Sequence, residues 1–361
     1  MTIEWLAGNR IRGTSTERTT TSGFNPVSAV LGGWKEVGRT TLGANAGNIA
    51  VDSLSDKRYY MVLADLDGSA TRELCRLNSD SGTNYAHRYS SNGATDGTGT
   101  NATKVELQGI YNTTDERFKV FHIANKSDKE KLVISHSVNM NGSGAGNPPN
   151  RYEVVGKWTN TSNAISKIDL VSWGSSNVGS SGDWQSGSEV VVLGYDPDDT
   201  HTDNFWEELA DVTLSGTGTN ISSGTITAKK YLWFQLWYDV TAGADANLTF
   251  NNNTTSTYAL RRSANGGSDV TSTSQTGMNM QGSGAVTPVF INGFIINTSA
   301  NEKLIIAHQI EQNTAGAGNA PNRREFVGKW ANTSSQITEL DFTTTSNNYT
   351  AGSFLKVWGA D

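Results

Sequence analysis

PNRYEVVGKWTNTS, residues 149–162, recurs as PNRREFVGKWANTS, residues 321–334. The anchoring tryptophans, Trp158 and Trp330, lie 172 residues apart. Stacked solenoid units repeat every ~20–50 residues, so this period marks whole domains. The same offset pairs EKLVISH from Glu130 with EKLIIAH from Glu302, and Lys57-Arg58-Tyr59 with Lys229-Lys230-Tyr231. It reaches back to Trp34 and Trp206, and slips by one residue at NYAHRYSSNG against TYALRRSANG. After Ile168-Asp169-Leu170 and Leu340-Asp341-Phe342 the first copy carries a short insertion, and GSEVVVLGYD and GSFLKVWGAD then restore registration. The chain divides into an N-terminal arm, residues 1–33, a first domain, 34–197, and its duplicate, 198–361.

Inside each copy the period is two. In RYEVVGKW, Val154, Gly156 and Trp158 share one face, and Arg151, Glu153, Val155 and Lys157 share the other. In YLWFQLWYDV, residues 231–240, Leu232, Phe234, Leu236, Tyr238 and Val240 form one apolar row. In LVISHSV, Leu132, Ile134, His136 and Val138 fall together. Clusters of Gly, Asn, Ser, Thr and Asp between these runs supply turns. FWEELADV from Phe205 alone hints at a helix, and its partner WKEVGRTTL reads as a strand. The expected fold is all-β: a tandem duplication of an antiparallel β-sandwich, each a jelly roll of about eight strands, with an extended N-terminal arm.

Composition narrows the function. A formal charge of -7 leaves no basic surplus for displacing counterions from nucleic acid. Ten Trp, 11 Tyr and 11 Phe give core-forming surface that a disordered chain lacks, although only 17% of residues are charged. One cysteine, Cys75, permits no intrachain disulfide. The first residues lack the apolar core of a signal peptide, and no run approaches the ~20 apolar residues of a membrane span. A soluble protein made in the cytoplasm, with no membrane insertion, is the expectation.

No catalytic, cofactor-binding or metal-ligating set is legible. His136 and His308 occupy equivalent strand positions among apolar neighbours and read as buried core histidines needed by both copies. His87, His122 and His201 have no histidine counterparts and no metal-ligand spacing. Asp196, Asp198, Asp199 and Asp203 offer oxygen ligands for Ca²⁺ without the spacing of a calcium loop, and read as a solvated linker. Glu130 and Glu302 read as surface charges at turn-to-strand junctions. Trp158 and Trp330 read as core plugs, each beside a strand glycine that marks close approach by a neighbour.

Candidate interface or ligand residues come from what packing leaves over. If the even positions of residues 231–240 face the core, Tyr231, Trp233 and Trp237 face outward and need cover from a neighbouring subunit or the partner domain. The equivalent strand of the first copy, with Tyr59, Met61 and Leu63, carries a similar outer row. Trp173 and Trp184 flank the insertion and suit a sugar ring or a protein partner. The arm has no apolar period but isolated anchors, Trp5, Leu6 and Ile11, which suit binding to a neighbouring subunit.

The phrases WKEVGRTTLG, DSGTNYAHRYSSNG, FVGKWANTSSQITELDF and the terminal GSFLKVWGAD together resemble structural proteins of tailed viruses, especially those of marine microbes. The opening GNRIRGTSTERT is similar to the N-terminal arm of such proteins. The resemblance implies a non-enzymatic virion protein: a tail, fibre or head-surface subunit, trimeric or higher, bound to other virion proteins and in some cases to a host-surface glycan or envelope. It carries no catalytic residues and no cofactor. Two alternatives stand beside it, a tandem jelly-roll capsid subunit and a carbohydrate-binding, adhesin-like protein.

Overall fold

The computed structural model describes residues 33–68, 72–108, 115–173, 184–197, 199, 204–243, 245–280 and 288–361. The arm, Trp5 included, lies outside them except for Gly33, as do His201, Asp198, Asp203 and most of the insertion. Among the described residues every regular element is a strand, and no helix is long and apolar enough to cross a membrane.

The first domain runs β1 (Lys35–Thr41), β2 (Asn48–Val51), β3 (Tyr59–Leu66), β4 (Arg72–Leu77), β5 (Tyr85–Ser91) and β6 (Gly97–Ala102). It continues through β7 (Val105–Gln108), β8 (Arg117–Ala124), β9 (Lys131–Asn139), β10 (Asn150–Trp158), β11 (Ile168–Trp173) and β12 (Glu189–Tyr195). The pairing is nested: β1 lies on β12, β2 on β11, β3 on β8 and β4 on β7, all antiparallel. Nested pairs rolled into two facing sheets make a jelly roll. The remaining strands, β5, β6, β9 and β10, lengthen one sheet, giving β1-β12-β3-β8-β9-β10-β5-β6 against β2-β11-β4-β7. Eight strands were expected, and twelve form. The eight nested ones are the jelly roll, and the other four widen one wall.

The second domain repeats this strand for strand. Its elements are β13 (Glu207–Thr213), β14 (Asn220–Ser222), β15 (Tyr231–Tyr238), β16 (Ala246–Phe250), β17 (Tyr258–Ala264) and β18 (Val270–Gln275). Then come β19 (Met278–Asn279), β20 (Val289–Ile296), β21 (Lys303–Glu311), β22 (Asn322–Trp330), β23 (Leu340–Thr344) and β24 (Phe354–Ala360). Its sheets are β13-β24-β15-β20-β21-β22-β17-β18 and β14-β23-β16-β19. Phe205 to Val212 opens a strand, with no helix.

The repeated phrase forms β10 and β22, and its alternation sets the sandwich. Val154 and Trp158 enter the first core and Phe326 and Trp330 the second. Trp158 stacks on Tyr85 at 6.3 Å, and Trp330 on Tyr258 at 6.2 Å. The glycine between them admits the opposite sheet. A Cβ on Gly156 would sit 2.7 Å from Val105 of β7, and one on Gly328 2.5 Å from Met278 of β19. The close approach read from the sequence is made by an aliphatic side chain at Gly156 and by a thioether at Gly328.

The two tryptophans differ at one atom. Trp158 Nε1 donates to Asp80 Oδ2 at 2.7 Å, whereas the buried Trp330 Nε1 has no partner. Trp158→Phe should therefore cost about 1–2 kcal/mol more than Trp330→Phe, the difference being one hydrogen bond to a carboxylate. Urea denaturation of both variants measures this, and equal losses would contradict it.

A second asymmetry lies in the first core. Glu73, Arg117 and Lys119 turn inward from β4 and β8 and are almost fully buried. Arg117 Nη1 lies 3.2 Å from Glu73 Oε1, and Lys119 Nζ contacts Glu73 Oε2. Burial pulls the Lys119 ammonium well below its ordinary range and Arg117 down to about 10. The equivalent positions of the second domain hold Ala246, Val289 and Ile291, all in its apolar core.

Trp184 corrects an expectation. It was placed with Trp173 as an exposed ligand or partner contact, yet it is fully buried in the first core, bridging Ala46 and Gly68. Tyr349 makes the same two bridges in the second domain, to Gly218 and Val240. Both are plugs at one end of the sandwich, and the insertion merely precedes this one.

Candidate functional site at the domain seam

The outer faces of the two eight-stranded sheets meet. Met61, Leu63, Phe118, Val120, Val138 and Val191 of the first domain join Tyr231, Phe294, Ile296, Leu304, Ile306 and Val327 of the second in one buried cluster. Strand alternation explains it, because each of these residues is one position out of phase with its own core. The expected apolar outer rows exist, and the partner domain covers part of them. Trp233 is half-buried at the rim, stacked on Trp358 at 4.7 Å and Phe294 at 5.7 Å, with its Nε1 donating to Asn292 Oδ1 at 2.7 Å. Trp237 stacks on Phe354 at 5.8 Å.

Polar groups fix the docking. Tyr231 Oη donates to Glu189 at 2.9 Å, and Lys230 Nζ reaches Asp65 at 3.0 Å and Glu189 at 3.1 Å. Lys329 Nζ donates to the carbonyls of Met140 at 3.1 Å and Gly142 at 2.6 Å, while Glu302 accepts from Gly144 N–H. Glu302 was expected to be a surface charge; docking buries it, and its equivalent Glu130 stays half-buried, paired with Lys157 at 2.8 Å. Arg151, 5% exposed, holds Asp269 at 2.7 Å, contacts Glu153, and lies 3.8 Å from Glu325.

At the middle of the seam His136 and His308 pack edge to face, ring centroids 4.2 Å apart. This corrects their placement as core histidines. They lie on the outer face, opposite Glu153 and Glu325 in register, and Leu132 and Ile134 of the same row are exposed. Nδ1 of His136 is buried without a partner. Donor atoms of His136, Glu153 and His308 all lie within 4.8 Å of one another. Two imidazoles and a carboxylate could hold one small divalent cation, although the Arg151 guanidinium already occupies that carboxylate.

Both histidines are held neutral. Burial, then the neighbouring His308, His122 and Arg151, keeps His136 well below its ordinary value. Burial, then Arg151 and Arg323, brings His308 down to about 4. The unfolded chain takes up protons near pH 6.5 that the docked seam refuses. Stability from this pair is complete above about pH 6.5 and is lost as pH falls toward about 4, on the order of 3 kcal/mol for His308. Chemical denaturation at stepped pH should show that slope, and His308→Gln should flatten it. An unchanged slope in the variant would contradict the assignment.

The other candidates lie apart from the seam. Trp173 ends β11 half-buried, with Lys104 Nζ 3.7 Å from its ring centroid and Arg72 at 5.4 Å. Asp196 and Asp199 pair with Arg58 at 3.7 Å and Lys57 at 2.6 Å, the two cations that lead into β3.

No family model matches the chain, and no curated protein matches it. Among solved structures, the mouse laminin alpha1 chain, domains LG4-5, aligns over 91% of both chains at 9% identity, with a TM-score of 0.20. Human GIVD cytosolic phospholipase A2 aligns with 76% of this chain and 33% of its own at 7% identity, TM-score 0.14. Scores that low carry no argument about fold or function.

Proposed function

We propose that the chain is a non-enzymatic structural subunit of a virion, a tail, fibre or head-surface component that works as an oligomer. The observation that carries this reading is the use made of the outer sheet faces. They are apolar, they join jelly roll to jelly roll, and part of each remains uncovered. A fold whose outer-face chemistry is spent on docking its two duplicate domains suits assembly better than turnover. The resemblance of its phrases to structural proteins of tailed viruses supplies the setting. Of the two alternatives, the tandem jelly-roll capsid subunit shares every feature used here. The glycan-binding reading has lost one of its two tryptophans, because Trp184 is a core residue.

Size-exclusion chromatography with negative-stain imaging of the purified chain tests this. Discrete oligomers or fibres support an appendage subunit and closed shells a capsid. A monomer at every concentration would contradict both and return the glycan-binding reading.

A further inference from the structure

The seam uses unlike halves of two like faces. The second domain contributes Tyr231, Leu304, Ile306 and Val327, which are 0%, 0%, 3% and 1% exposed. Their equivalents in the first domain, Tyr59, Leu132, Ile134 and Val155, are 42%, 55%, 52% and 49% exposed. In the other direction Val138 of the first domain is fully buried, and its equivalent Ile310 is 49% exposed. Among the described residues six large apolar side chains are exposed, and these five are among them. They are the unused halves of a contact the molecule already makes once.

We propose that a second copy of this chain covers them. Tyr59, Leu132, Ile134 and Val155 of one chain pack on Trp237, Phe290, Ile310 and Phe354 of the next, repeating between chains the contact made within each. The inference rests on reading the chain as a self-assembling subunit and names the surface through which it assembles. The internal contact places Phe118 of the first domain 6.3 Å from Tyr231 of the second; between chains the equivalent pair is Phe290 with Tyr59. The acidic partners of Lys230, Asp65 and Glu189, have Trp237 and Phe354 as equivalents, while Leu63, Val120 and Val191 have Gln235, Asn292 and Lys356, so the apolar part of the receiving surface shifts to Trp237, Phe290, Ile310 and Phe354. Unlike halves make the contact heterologous, and a heterologous contact builds a ring where the rotation closes and a filament where it does not.

Sedimentation velocity of the full chain over a concentration series tests the proposal. Wild type should form a ring or an open series. Ile134→Lys and Ile310→Lys, both at exposed positions, should each keep the wild-type circular dichroism and weaken association by at least about 30-fold. Mixed together they should form a one-to-one dimer, since each retains the half the other lacks. Leu132→Lys replaces Ile134→Lys if the latter unfolds. A monomeric wild type, a mixture that stays monomeric, or normal assembly of Ile310→Lys would overturn the interface. Assembly as predicted by a chain absent from virus particles would leave the interface standing and sink the virion reading.

Discussion

Glu73→Ala should destabilise the first domain by about 3–5 kcal/mol, because it strips the shared carboxylate from two buried cations. Lys119 can shed its proton, as burial already favours. Arg117 cannot, and its guanidinium would lose this carboxylate while keeping the Gly68 carbonyl at 3.4 Å, the Trp184 ring and the longer-range attraction of Asp115 and Asp67. The duplicate domain supplies the control. It fills the same three places with Ala246, Val289 and Ile291 and keeps a continuous apolar core. Glu73→Ala combined with Arg117→Val and Lys119→Ile should therefore recover most of the loss, since apolar replacement of a whole buried ion cluster is often neutral or stabilising. Differential scanning calorimetry would separate the cases. A triple variant no more stable than Glu73→Ala would mean that the cluster positions something beyond the core.

Arg151→Ala should cost about 3–5 kcal/mol of docking stability and split the thermal transition in two, one for each domain. Its loss leaves Asp269, whose side chain is 2% exposed, with Arg261 at 3.8 Å, and takes a cation from Glu153 and from Glu325, which keeps Arg323 at 2.7 Å. It also removes a positive charge that lowers His136 and His308, so both folded values should rise toward the unfolded one and less stability should be lost on acidification. Arg323 occupies the equivalent position but is 65% exposed in its side chain, and Arg323→Ala should change stability by under about 0.5 kcal/mol. Similar losses from both variants would contradict the asymmetric seam.

The duplication and the sandwich were legible because both are written locally: a recurring phrase gives the first, and a period of two the second. Strand number was not. β5, β6, β9 and β10 alternate like the other strands, and only long-range pairing decides which strands roll up and which widen a wall. Alternation also states that Leu132, Ile134, His136 and Val138 share a face without saying which face is inside. Trp184 escaped because its counterpart is Tyr349, and because the offset falls from 172 to 165 across the insertion. The seam site escaped for a deeper reason. His136 and His308 are the same residue of two copies, with no motif linking them, and they meet only when two non-equivalent halves of like sheets dock. One signal was available: an apolar outer row in both copies requires cover, and that pointed to Tyr231 and Trp233.

The most direct test of the proposed virion role is cryo-electron microscopy of virus particles purified from the source of this chain's gene, with mass spectrometry to identify the proteins in them. The account predicts this chain in the particles at stoichiometric amounts. It also predicts density for paired jelly rolls repeating regularly, with Ile134 of each chain facing Ile310 of its neighbour. Particles that lack the chain, or that carry it with those residues open to solvent, would contradict it.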